Sequence, residues 1–350
     1  MLADKLRAAA AVTAAGGGQE YVAVAHTTTP FISAYPWSNS TGFGVKYSNP
    51  ATLPIGNGAR AAFLPLGNAL AVSHATSPFV SVYPWSSSGF GAKFSDPATL
   101  PGGAGRGVAF SPSGDALAVA HATTPFISVY PWSGSGFGTK FSNPATLPAG
   151  DGLSVAFSPS GAAIAVAHIT TPFISAYPWS GSGFGTKFSN PATLPNGDGQ
   201  SVAFSPLGDA IAVGYSTNTP FVSAYPWSGS GFGTKYTDPA TPPTGQGSGV
   251  AFSPSGNRLA VAHSTTPFIS VYPWSGSGFG AKFSNPATLP AGVGTGVAFS
   301  PSGVTIAMTQ SGSPYILAYP WSGSGFGTIY ANPATLPTGR GNGIAFGATP

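Results

Sequence analysis

Five histidines stand at matching points of the chain: His26, His74, His121, His168 and His263. Imidazoles repeated in this way could line a ring around a metal ion or an anion. A zinc ion needs its nitrogen ligands at about 2 Å, so residues one repeat apart could share it only near a common axis. Two copies carry Tyr215 and Gln310 at this point. Free exchange with Tyr and Gln favours a polar residue that ends a strand at the rim.

Six lysines recur as well: Lys46, Lys93, Lys140, Lys187, Lys235 and Lys282, with Ile329 in the last copy. On an outermost strand, lysine guards against edge-to-edge pairing. The other reading is a basic belt that meets anionic glycans or a neighbouring subunit. The eight acids are Asp4, Glu20, Asp96, Asp115, Asp151, Asp198, Asp209 and Asp238. They fall in the leader or at scattered repeat positions where other copies carry Asn, Gly or Ala. No paired carboxylates, Ser-His-Asp set or phosphate loop stands out, so the sequence predicts a protein that is not an enzyme and needs no cofactor.

Composition narrows the partners. Only 6% of residues are charged and the net charge is +4 without a basic run. Nucleic-acid binding requires clustered Lys and Arg, so none is expected. The chain has no cysteine, which removes disulfides, Cys nucleophiles and zinc fingers. No apolar run approaches the roughly 18 residues of a membrane span.

The elements that place these residues are set by a repeat. Trp37, Trp85, Trp132, Trp179, Trp227, Trp274 and Trp321 follow one another at 47 or 48 residues. Such a period signals a propeller or a solenoid. In the unit that starts at Gly107, Val108–Phe110 reads as a strand a, Ser111–Gly114 as a turn and Ala116–His121 as a strand b. A loop at Thr123–Pro125 leads to strand c (Phe126–Trp132), then a Ser-Gly turn to strand d (Phe137–Ser142). Four short strands without helical periodicity make a propeller blade. The chain enters on a strand-b sequence, Tyr21–Val24, and its missing strand a is Gly343–Phe346 at the other end. Joining the two removes a raw edge. The predicted fold is an all-β, single seven-bladed propeller of four-stranded blades over residues 19–350, behind a leader of residues 1–18.

Comparison of the copies adds a candidate binding face. Strands and turns barely change. The d–a connections change in every copy, and this face carries Asn57, Arg60, Arg106, Asp151, Asp198, Gln200, Gln246, Arg340 and Asn342. Binding residues concentrate on loops held by a rigid scaffold, although neutral drift in exposed loops would look the same. The seven tryptophans recur in Tyr-Pro-Trp-Ser and are either inter-blade core or an aromatic platform for sugars.

The unit resembles the WD-repeat propellers. Ala109–Gly114 is similar to that family's strand a and turn, and Ile127–Trp132 occupies the place of its Trp-Asp strand. The resemblance implies the propeller fold over nearly all of the chain after the leader. The Asp after Trp is Ser133 here, and the Gly-His before strand a is absent. The family's His-Ser-Asp-Trp network is therefore not carried over, and aromatic packing between blades must replace it.

The leader, with Leu2, Lys5, Leu6 and Arg7 before an Ala-rich stretch and Gly16–Gly18, reads as a short helix and a tether. It reads less well as a signal peptide, because Ala is weakly apolar. It resembles the N-termini of some tailed-phage virion proteins. That resemblance implies a non-enzymatic component displayed on a phage particle, anchored to other virion proteins by these four residues. Such a component would act in attachment to a host-surface protein or glycan, or in decoration. A carbohydrate-binding lectin is the alternative.

Overall fold

The computed structural model describes residues 18–349. They form seven antiparallel sheets and no helix. Six sheets have four strands in the order a-b-c-d; in the remaining one, blade 4, strand d shrinks to a single bridge between Trp179 and Phe184. Blade 1 is completed from the far end of the chain. Gly341–Ala348 pairs with Glu20–His26, with Val22 opposite Phe346 and Val24 opposite Ile344. The innermost strands then neighbour one another in a closed ring. The predicted architecture and its closure both stand.

Strand d is shorter than its sequence suggested. In blade 3 it covers Gly136–Phe137 alone. The strand-c residue Pro131 accepts a hydrogen bond from Gly138 N at 2.8 Å. Its own nitrogen faces the same side and has no proton to give. The ladder therefore lapses, and the outer segment returns only at Phe141, whose N–H donates to Val129 O at 2.9 Å. Proline is confined to such edges because it removes a ladder bond.

Packing between blades follows from the alternation in strand b. Ala116, Ala118 and Ala120 face one way, and Leu117, Val119 and His121 the other. The small face of blade 3, with Ile127 and Val129, packs on Phe157, Ile164, Val166, Tyr177 and Trp179 of blade 4. The same small-against-large contact joins blade 2 to blade 3 and blade 7 to blade 1. Each strand-c tyrosine reaches further, into the connection that leads from the preceding blade. Tyr130 Oη donates to Thr99 O at 2.9 Å, and Tyr35 Oη donates to Thr335 O at 2.9 Å across the closure.

The tryptophans belong to these seams. Trp132 is 5% exposed. Its indole meets the edges of Phe94, Phe110 and Phe137 with ring centroids 5.1–5.5 Å apart. The other six are buried in the same way. A sugar platform needs an open aromatic face; these indoles are enclosed by rings from two blades, so that reading is corrected to core. Trp132→Ala should lower the unfolding free energy by about 3–5 kcal/mol, read from the urea midpoint. A loss below about 1 kcal/mol would contradict a core role.

Candidate functional site at the channel mouth

Every strand a breaks register once against strand b. In blade 2, Gly58 stands opposite His74 and Arg60 opposite Ser73, which leaves Ala59 as an extra residue. The same break leaves Arg106, Leu153, Gln200, Ser248, Thr295 and Asn342 outside the ladder. A bulge frees one residue from pairing and re-aims it. These seven are the variable last positions of the d–a connections, and they encircle the channel. The glycine before each bulge is required by close approach: a Cβ at Gly58 would lie 2.3 Å from Phe31 O of the neighbouring blade.

The d–a and b–c loops share this face. Ala75 N donates to Asn57 O at 3.0 Å, and Ser216 N donates to Asp198 O at 3.1 Å. Asn57 and Gln246 thus hold loops together through their backbones; Gln246 O accepts from Ser264 N at 3.0 Å. Gln200 Nε2 reaches Asp198 O at 3.4 Å, and Asn342 Nδ2 donates to Gly58 O at 2.8 Å.

One residue past the bulge, the strands crowd the axis. Blades 1 and 3–7 carry Gly343, Gly107, Ser154, Ser201, Gly249 and Gly296 here. A Cβ at Gly107 would meet Ser154 Cα at 2.9 Å. Blade 2 carries Arg60 instead. Its guanidinium donates to Ala59 O at 3.2 Å, to Ser248 O at 3.3 Å and to Asn342 O. These acceptors are bulge residues of blades 2, 6 and 1, so the side chain spans the channel. Burial lowers the Arg60 pKa to about 10, and the charge of Arg340 acts in the same direction. The ion pairs among the described residues do not include Arg60.

The acids sort by position. Asp96 and Asp238 receive Lys93 and Lys235. Asp115 and Asp209 accept from Ser111 and Ser205 within the a–b turns. Glu20 binds Asn39 and Ser302 N at the seam between blades 7 and 1. Asp151 and Asp198 remain, half-buried on the channel face. Asp151 Oδ2 lies 3.9 Å from Nη2 of the exposed Arg106. The structure therefore gathers Arg60, Arg106, Arg340, Asp151 and Asp198 from the sequence-based candidates onto one face. The central position of Arg60 was hidden in the sequence, although the loss of a small residue at that one copy is a readable signal.

The histidines are not rim residues. All five are fully buried. In each, Nε2 meets the Oγ of a strand-c serine at 3.0 Å: Ser33, Ser81, Ser128, Ser175 and Ser270. His74 Nδ1 lies 2.8 Å from Thr76 O, which calls for a proton on Nδ1 and leaves Nε2 to accept from serine. No group of three or more His, Cys, Asp or Glu among the described residues is placed to hold a metal ion. The lysines fold onto the following turn, as in Lys46 Nζ to Asn49 Oδ1 at 2.5 Å, so they form no free basic belt. Leu2, Lys5, Leu6 and Arg7 lie outside the described residues.

No protein-family profile and no curated protein sequence matches the chain. Solved structures do resemble it. A Bacteroides fragilis protein assigned as a 6-phosphogluconolactonase superposes with a TM-score of 0.75 at 13% identity, over 94% of this chain and 98% of that one. A Bacteroides uniformis protein assigned the same activity gives 0.71 at 16%, over 94% and 100%. The Pseudomonas aeruginosa periplasmic gluconolactonase gives 0.68 at 17%, over 95% and 100%.

At these identities the likeness carries the fold alone. The names of these neighbours nevertheless run against the expected non-enzymatic virion component and its lectin alternative. These three propellers, matched nearly end to end, bear lactonase names and no virion name, and the repeat itself is no argument against an enzyme.

The histidines set a pH dependence. Burial lowers the pKa of His26, His121, His168 and His263 to about 4, against about 6.5 for an unfolded chain. A depressed histidine pKa means that the unfolded state takes up protons first as pH falls. Stability should be full above pH 6.5 and decline between about 6.5 and 4. Each histidine removes up to about 1.4 kcal/mol per pH unit. Denaturant midpoints measured from pH 7 to pH 4 check this, and a flat series would refute it.

Proposed function

We propose that the channel mouth binds a small anionic sugar acid in lactone form, and that the protein hydrolyses the lactone. The observation that carries this reading is Arg60, a guanidinium in the channel with backbone carbonyls around it and no carboxylate partner among the described residues. A half-buried cation of this kind favours an anion nearby, and charge-assisted bonds to guanidinium are the strong ones. Arg106 and Arg340 add two exposed cations on the same face. The lactonase names of the structural neighbours supply the substrate class.

The chemistry needs little more than this face offers. Water attacks the lactone carbonyl while a carboxylate takes its proton. The charge that develops on the carbonyl oxygen is stabilised by a fixed donor, and the ring oxygen leaves with a proton. Among the described residues, Asp151 and Asp198 are the acids free of a turn or a lysine, and we assign the base to one of the two. Arg106 holds the anionic end of the substrate.

Hydrolysis of 6-phosphogluconolactone and of gluconolactone, followed by proton release above the spontaneous rate, tests the proposal. Arg106→Ala should raise KM for the phosphorylated lactone about tenfold. Asp151→Asn combined with Asp198→Asn should lower kcat by about 100-fold or more. No acceleration of either lactone by the wild-type protein would sink the reading.

A further inference from the structure

Blade 7 departs from the other copies at three places that meet in one spot. Five blades pair a strand-b histidine with a strand-c serine, and blade 5 keeps the serine beside Tyr215, with Ser223 Oγ to Tyr215 Oη at 3.5 Å. Six blades join a lysine to an Asn or Asp three residues on. In blade 7 the histidine is Gln310, the serine is Leu317 and the lysine is Ile329, while the acceptor of the lysine pair survives as Asn332.

A cavity of about 390 Å³ lies here, with Gln310, Leu317, Ile329, Leu289, Pro314 and Tyr330 in its wall. That volume suits a small molecule, and no charged side chain lines it. Thr288 and Asn332 are polar members of the wall, and the deepest polar side chain is Gln310. It is fully buried. Its Oε1 accepts from Ala291 N at 2.9 Å, and this bond fixes which end of the amide is which. Its Nε2 has no hydrogen-bond partner among the described residues. A buried amide N–H left unpaired is costly, and its place in a native fold requires an explanation.

We propose that this cavity is a second ligand site, which takes an uncharged molecule with an apolar body and a carbonyl oxygen that accepts from Gln310 Nε2. Leu317, Ile329 and Leu289 cover the body. An anion is disfavoured because Ile329 has replaced the one cation that other blades place here. The site shares no lining residue with the channel mouth and does not depend on the function proposed for it.

The probe is 4-fluoroacetophenone, a neutral aryl ketone, titrated to millimolar concentration and followed by fluorine NMR. The full-length wild-type protein should broaden its signal saturably, and the ketone should raise the melting temperature. Gln310→Met keeps the apolar wall and removes the donor, and should weaken binding about tenfold. A triple variant, Gln310→His, Leu317→Ser and Ile329→Lys, rewrites blade 7 to the pattern of its neighbours. It should fold, as circular dichroism would verify, and should neither broaden the signal nor gain thermal stability from the ketone. Absence of saturable binding to the wild type overturns the proposal, as does equal binding by the triple variant. Unchanged affinity in Gln310→Met overturns the role of the amide. If the triple variant fails to unite the blade, Leu317→Ser with Ile329→Lys alone carries the same comparison.

Discussion

Each blade turns a face of small residues toward its neighbour, and the neighbour fills it with an indole, a phenol and branched aliphatic side chains. The rest of the structure depends on this contact. A single four-stranded sheet of such short strands cannot bury its own apolar surface. Here Ala116, Ala118 and Ala120 let Trp179 and Tyr177 approach closely, and the tyrosine hydroxyl then reaches into the preceding connection. The seam is dry and edge-to-face, a favoured arrangement of aromatic rings. Because both halves of the contact are present in every copy, the ring closes only when the last blade meets the first. Val22, Val24 and Trp37 against Ala307 and Ala318 complete it.

A scaffold held in this way leaves little charge to spare. Most acids and nearly all lysines are absorbed by turns, and the histidines by Nε2–Oγ contacts inside the sheets. Blade stability thus rests on packing plus a His–Ser pair, in place of the network known from WD repeats. What escapes absorption is informative for that reason. Three arginines and two aspartates remain on one face, around a channel that six small residues narrow and Arg60 crosses. The bulge in each innermost strand is the device that presents them, since it releases one residue per blade from the ladder.

The two departures from seven-fold identity differ in kind. Arg60 places a large charge where the copies have nothing larger than serine, and so concentrates positive potential at the axis. Gln310, Leu317 and Ile329 subtract: they remove an imidazole, a hydroxyl and an ammonium group and leave apolar walls around one amide. A duplicated architecture makes both visible, because the neighbouring blades show what each position holds when it is only structural.

Sequence periodicity determined the fold, the number of blades and the closure of the first blade by the strand around Gly343–Phe346. The Trp period and the alternation of alanine with larger residues in strand b are local patterns that permit one sheet type and one packing. The sequence also located the face on which the copies vary. It could not decide depth. The histidines read as rim residues because end-of-strand position is legible and burial by the next blade is not. The tryptophans read as core, with a sugar platform as the alternative, until rings from two blades enclosed them. Strand d was overestimated, since the missing donor of Pro131 matters only once strand c is known to face it. Above all, the place of Arg60 on the axis and the meeting of Gln310 with Leu317 and Ile329 are tertiary facts. They arise from side chains of separate strands brought together by the ring, and the order of residues alone does not contain those distances.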